Sequence, residues 1–523
     1  MRFSRFLTLV LVSYLLTVVG LYWSNARFDT HIDIISIFEF TALVLVCIWL
    51  LNHRTSLNVV SAYNARLALF LFLFYAIPFL GYVIYPKRTP YLMEVPGAAS
   101  AMNMALLLTI LGALLVPAGF EVGYRKAWRA VRNRYSSQSS YLGFSIRGVQ
   151  IKEGKYLVRL AVVLALCLYS ILIIPGHYVS TYAGEGTWWR HLVSFEPVIL
   201  LGTVFVLENR TSLRTRTKFM IVGPILAWQV LTIIQGSRSS LFELGLIILS
   251  YFLLRSPSFR IPRKAFLWLF ILAAFAVITY PIGYAMRFFQ AEAFKGQIAF
   301  SLSTLFSAIE AAYSRLSFEK IFIAIGARLS YLDQLLLMMR GPLVNPSPYV
   351  GILHDMKALV DAFLPRSLKP FPNVIDSSST FPIVYMGIPV HQILDYQKLT
   401  MPWQVWGLVY QYFGWFFALP GFFFAGFLSG RIVGWLPSLF AAPYRVYVTI
   451  WVFLLGFTLI DNFGLDTFFA WGMYNVSQYV VVLILMRGAL IRRLRARSNL
   501  KTASDLPSSQ SSGEAIHPPR YLS

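Results

Sequence analysis

Apolar stretches close to the length of a membrane span recur along this chain, and they limit its fold more than any other feature. A helix needs roughly 20 predominantly apolar residues to cross the ~30 Å hydrocarbon core. Inside that core each backbone N–H and C=O must be satisfied within the protein, so only helices and closed barrels can cross. The stretches here are continuous rather than alternating, which selects helices. The charge content agrees: 13% of the 523 residues are charged, against about a quarter in an ordinary soluble domain.

The expected fold is an all-α polytopic membrane protein of about twelve transmembrane helices with one large outer (periplasmic) loop carrying short amphipathic helices. The spans are placed at 6–23, 34–51, 67–85, 98–120, 157–174, 191–207, 219–234, 241–254, 265–286, 408–430, 446–460 and 469–486. Residues 1–286 hold helices one to nine with short loops, 287–405 form the large loop, and 406–497 hold helices ten to twelve. Residues 498–523 are polar and rich in Ser and Pro, the composition of a disordered tail.

The net charge of +23 follows the topology rather than a nucleic-acid partner. Basic residues gather in short connections and the tail: Arg125, Lys126, Arg129, Arg132 and Arg134; Arg210, Arg214, Arg216 and Lys218; Arg487, Arg492, Arg493, Arg495 and Arg497. Cytoplasmic loops carry this excess, and an even number of spans puts all three groups on the side of the amino terminus. Both termini are therefore expected in the cytoplasm of a bacterial inner membrane, with anionic lipid head groups as the neighbours of the charge. Arg2 and Arg5 precede the first apolar run, which is long for a cleaved signal and reads as a retained anchor. Cys47 and Cys167 lie inside apolar runs and read as core residues.

The connection 287–405 stands apart. Residues 297–339 show apolar residues at helical spacing, and 318–339 are apolar enough to re-enter the membrane. The rest is rich in Pro, Gly and Ser. A loop of that length in a chain with short loops elsewhere is usually functional. No internal repeat is visible, which weighs against an inverted-repeat transporter.

Several residues are suited to chemistry on a charged lipid-linked substrate. Arg238 lies in Gln235-Gly236-Ser237-Arg238-Ser239-Ser240, ahead of the short apolar run 241–254. That run covers about 21 Å at 1.5 Å per residue, so Arg238 is expected below the outer membrane surface, where an arginine is functional by default. Arg328, Arg340, Arg366 and Lys369 are cations on the outer side, where topology does not call for them. Arginine matches phosphate oxygens bidentately, and several together suit a diphosphate. Carboxylates in the same loop nearly balance this charge, so surface pairing is the plainer reading of any one cation. His391, His354 and Asp333 are the candidate proton acceptors. No zinc, Walker or nucleophile-elbow pattern is present, so no metal and no cofactor is expected.

Four segments resemble the O-antigen and exopolysaccharide repeat-unit polymerases, the Wzy-type integral membrane proteins. They are Gly236-Ser237-Arg238-Ser239-Ser240-Leu241-Phe242, Arg328-Leu329-Ser330-Tyr331-Leu332-Asp333, Leu364-Pro365-Arg366-Ser367-Leu368-Lys369-Pro370, and Tyr410-Gln411-Tyr412-Phe413-Gly414-Trp415 followed by Pro420-Gly421 and Gly426. Their order and the single late outer loop also agree. The resemblance implies a metal-independent, inverting glycosyltransferase that uses undecaprenyl-diphosphate-linked glycans as donor and acceptor, with a chain-length regulator as a further partner. It implies donor-handling roles for Arg238, Arg328 and Arg366, and a weaker spacing match runs from Arg340 to Gly351. Leu368-Lys369-Pro370-Phe371-Pro372 departs from the family's Pro-Arg-x-x-Trp-Pro-x-Lys-Pro form, which leaves Lys369 without an assigned role. Two other activities are alternatives: an O-antigen ligase of similar architecture transferring to lipid A-core, and a flippase for lipid-linked oligosaccharide, against which the sparse polar residues of the spans weigh. A transferase using Asp29 or Asp33 in the first outer loop is a further alternative.

Overall fold

The computed structural model describes residues 3–25, 32–53, 55, 57–84, 98–134, 149–151, 153–172, 195–209, 213–234, 239–255, short helical pieces between 267 and 282, 302–315, 331–339, 352–363, 370–371, 384, 405–439, 447–454, 477–482, 484–485 and 490–492. These residues are almost entirely helical. In chain order the helices are α1 (Phe3–Asn25), α2 (Ile34–Asn52), α3 (Asn58–Leu71), a π-helical turn (Phe72–Ala76), α4 (Ile77–Ile84) and α5 (Ala98–Arg134). There follow α6 (Glu153–Leu172), α7 (Glu196–Glu208), α8 (Thr215–Ile234), α9 (Ser239–Arg255), α10 (Leu302–Arg315), α11 (Tyr331–Met339), α12 (Ile352–Phe363) and α13 (Val405–Trp435).

Five described helices are long and apolar enough to cross a membrane: Ser4–Ser24, Ile34–Asn52, Asn58–Val83, Ala99–Val131 and Gly414–Leu439. Of the twelve expected spans, 265–286 and 469–486 fall largely outside the described residues, 446–460 is described only over 447–454, and the tail 498–523 lies outside them. Two expected boundaries move. The third span begins at Asn58 rather than at residue 67, which brings Arg66 inside it. The fourth does not stop at residue 120, because α5 continues to Arg134. The basic segment after residue 120 is thus the polar end of one 37-residue helix, with Arg125 paired to Glu121 one turn earlier.

The central packing is α5 against α13. Gly119 and Gly123 on α5 face Gly426, Gly430 and Gly434 on α13. A Cβ added to Gly119 would strike the Phe423 carbonyl, one on Gly123 the Phe427 carbonyl, and one on Gly430 the Phe120 carbonyl. Apolar side chains gain little by leaving lipid for another helix, so association there depends on close backbone contact, which small residues four apart permit. Contacts along this seam advance together, from Gly119 with Phe423 to Ala127 with Gly434, so the two helices run parallel. Tyr63 from α3 stacks on Phe120 at a centroid distance of 3.8 Å and joins the third span to the same core.

One short ribbon interrupts the helical pattern. Strand β1 (Val149–Ile151) pairs antiparallel with β2 (Leu490–Arg492), Gln150 lying opposite Ile491. Next to it, Arg159 on α6 donates to the Leu485 carbonyl at 2.8 Å. Residues 149–151 and 490–492 are therefore held together beside α6.

Candidate functional site at a broken helix

The helix expected at 408–430 is not one rod. Gly414 has φ 64° and ψ −175°, which breaks α13 into 405–413 and 415–435. Glycine supplies that conformation because it has no Cβ to clash. Trp406 meets Phe422 edge-on at 5.3 Å, and a Cβ on Gly421 would touch Val409. In a straight helix residues 406 and 422 would be about 24 Å apart. The two halves therefore fold back on each other as a hairpin, with Tyr410 packed on Trp415 across the turn at 5.3 Å.

The first half of this hairpin meets α11. Gly407 lies under Met338 and Leu335, so close that a Cβ there would collide with the Met338 sulfur. Trp406 fills the space above Gly112 of α5 in the same way. Earlier along the same face of α11, Tyr331 stacks on Phe74 of the π-helical turn at 4.6 Å. A π-turn displaces the side chains that follow it and is frequent at functional sites. Residues 331–339 are the end of the stretch expected to re-enter the membrane. They are seated against α4, α5 and α13 and bury Leu332, Leu335 and Leu336.

This packing carries a carboxylate inward. Asp333 is 4% exposed, and the Tyr82 hydroxyl on α4 donates to its Oδ1. A buried carboxylate needs such a partner, because desolvation alone costs several kcal/mol. In the first half of the hairpin, the buried indole Nε1 of Trp406 finds no hydrogen-bond partner among the described residues. Three broken or short elements (α4 behind its π-turn, α11 and 405–413) thus pack in succession, α11 meeting α4 through Asp333 and Tyr82 and meeting 405–413 through Leu335 and Met338.

His354 sits on α12, buried, with Nδ1 3.4 Å from Oδ1 of its neighbour Asp355. Its Nε2 is buried and without a partner among the described residues. The two described candidate proton acceptors are thus held differently, Asp333 by Tyr82 and His354 beside Asp355. The third, His391, lies outside the described residues, as do Arg238, Arg328, Arg340, Arg366 and Lys369.

The sequence reading missed one group, and a second holds Asp33, which it weighed only as an alternative catalytic carboxylate. Arg66, buried within the third span, donates from Nη1 to the Phe453 carbonyl at 3.0 Å and lies 5.3 Å from the Phe453 ring centroid. A lone arginine eight residues into an apolar helix was the signal, hidden by starting that span too late. The second group joins α2 to α5 beside the start of each. Asp33 accepts from the Ser36 backbone N–H at 2.7 Å and from Nδ2 of Asn103 at 3.0 Å, with the Ser36 hydroxyl between them. No protein-family model, no curated protein and no solved structure matches this chain.

Proposed function

We propose that this chain is a polymerase of undecaprenyl-diphosphate-linked oligosaccharide repeat units, acting at the outer face of the bacterial inner membrane. The observation that carries the reading is Asp333. It belongs to the long connection between apolar helices, yet it is buried in the helical core against Tyr82. A connection that only linked two spans would have no reason to drive a carboxylate into that core, whereas one that builds a reaction site would. The fold-back of α13 at Gly414 points the same way, since broken helices at membrane depth are tolerated where protein or a cavity satisfies them. Support for the topology comes from α5 and α13, which run parallel as the fourth and tenth of twelve alternating spans must.

In this reading the donor's diphosphate is bound by Arg238, Arg328 and Arg366. An acceptor hydroxyl attacks the anomeric carbon of the growing glycan and inverts it. The bond from that carbon to the diphosphate oxygen breaks, and undecaprenyl diphosphate leaves with the electron pair. The arginines stabilise its developing charge, so no metal is required. The acceptor's proton passes to His354, His391 or Asp333. Of the two described, His354 has the ring nitrogen to spare. Asp333 is already engaged by Tyr82 and suits positioning of α11.

Loss of the gene tests this directly. Single lipid-linked repeat units are expected to accumulate on the outer leaflet, with no longer glycan. Accumulation on the cytoplasmic leaflet would instead mark a transporter, and normal polymer that fails to reach lipid A-core would mark a ligase.

A further inference from the structure

Helix α12 is amphipathic in the reverse sense to a helix on a water-facing surface. Its outward residues are Leu353, Met356 and Val360, exposed by 69%, 54% and 44%. Its inward residues are His354, Asp355, Ala358 and Asp361, all under 9% exposed. The inward acids are held: Oδ1 of Asp361 accepts from the Phe371 backbone N–H at 3.1 Å. Lys357, at the boundary of the two faces, sits 5.6 Å from the Phe371 ring centroid. Water would favour the opposite arrangement, because each exposed aliphatic side chain forgoes roughly 1.5–3 kcal/mol of burial. The same kind of side chain is turned outward on the membrane-length helices, as Leu9 and Leu16 on α1 and Phe416 and Phe424 on α13. The outward face of α12 therefore continues the chemistry of the lipid-facing surface.

We infer that α12 is an in-plane membrane helix whose occupant is the acyl region of the bilayer beneath the head groups. Leu353, Met356 and Val360 enter the lipid along one side of a helix about 18 Å long. His354, Asp355 and Asp361 face the protein at head-group depth, where the diphosphate of a lipid-linked substrate also resides. The inference rests on the membrane reading of the five long helices and not on polymerase activity.

Spin labels on the full-length protein in liposomes test it. Single cysteines at Leu353→Cys and Met356→Cys are compared with Phe424→Cys on α13 and Arg129→Cys at the exposed polar end of α5. The native Cys47 and Cys167 are buried, so the parent protein provides the blank. Labels at 353 and 356 are expected to collide several-fold more with oxygen than with a water-soluble nickel chelate, as at 424. Nickel access at 353 and 356 equal to that at 129, with 424 still in lipid, overturns the in-plane helix alone. Nickel access at 424 as well overturns the membrane reading with it.

Discussion

Removing the hydroxyl of Tyr82 should be costly for a reason that lies in Asp333. Tyr82→Phe removes a hydroxyl donor from buried Asp333, and losing a hydrogen bond to a charged group costs about 1.5–3 kcal/mol. Asp333→Asn keeps an acceptor oxygen and should cost less. Thermal or denaturant unfolding in detergent measures both, and equal stability of wild type and Tyr82→Phe would show that the pair contributes nothing. Asp33 gives a pH effect of known sign. Desolvation raises its carboxyl, but hydrogen bonds from the Ser36 N–H, the Asn103 amide and the Ser36 hydroxyl outweigh it and hold it below its ordinary value of 3.8. A carboxyl lowered on folding contributes stability that is present above its unfolded value and lost as pH falls through the folded one. Unfolding temperature should therefore drop more steeply below pH 4 in the wild type than in Asp33→Asn. Asp333 and His354 were visible in the sequence as candidate proton acceptors in a long connection. Tyr82 was not, because it lies 251 residues from its partner and looks like any tyrosine in an apolar run.

At the scale of elements, the apolar runs were legible because lipid tolerates no unsatisfied backbone, so length and composition alone select helix. What they concealed was where a helix bends. The residues on both sides of Gly414 are equally apolar, and only the backbone angle there separates one span from a hairpin. The basic residues 125–134 were read as a connection because charge ends a span. A helix can nonetheless continue past its apolar run, as α5 does to Arg134. The seam between α5 and α13 was written in the spacing Gly119-x-x-x-Gly123 and Gly426-x-x-x-Gly430-x-x-x-Gly434, and interhelical contact is what gives that spacing meaning. Gly430→Val should force the backbones apart and exceed the ~1–3 kcal/mol typical of overpacking, seen as loss of folded protein on size-exclusion chromatography. Gly223→Ala on α8, with nothing within 4 Å of the new Cβ, should be neutral or stabilising by up to about 1 kcal/mol. Matching behaviour of the two variants would contradict the packing.

For the whole molecule, sidedness and activity are the open ends that experiment can close. The pairing of β1 with β2 requires residues 149–151 and 490–492 on one side of the membrane, as an even number of intervening spans would place them. Cysteines at Gln150 and Ile491, opposite each other in the ribbon, should form a disulfide under mild oxidation in liposomes. Absence of that crosslink, with both thiols reactive, would separate the two ends. The sequence made the membrane class legible through its apolar runs. The proposed substrate rests on resemblance alone, since the cations proposed to bind a diphosphate are scattered along the sequence. The most direct measurement is to incubate the purified protein in liposomes with an undecaprenyl-diphosphate repeat unit and a metal chelator, and to resolve the products by gel. A ladder of lengthening glycans is the predicted result. Unchanged substrate that has instead moved between leaflets would contradict polymerisation.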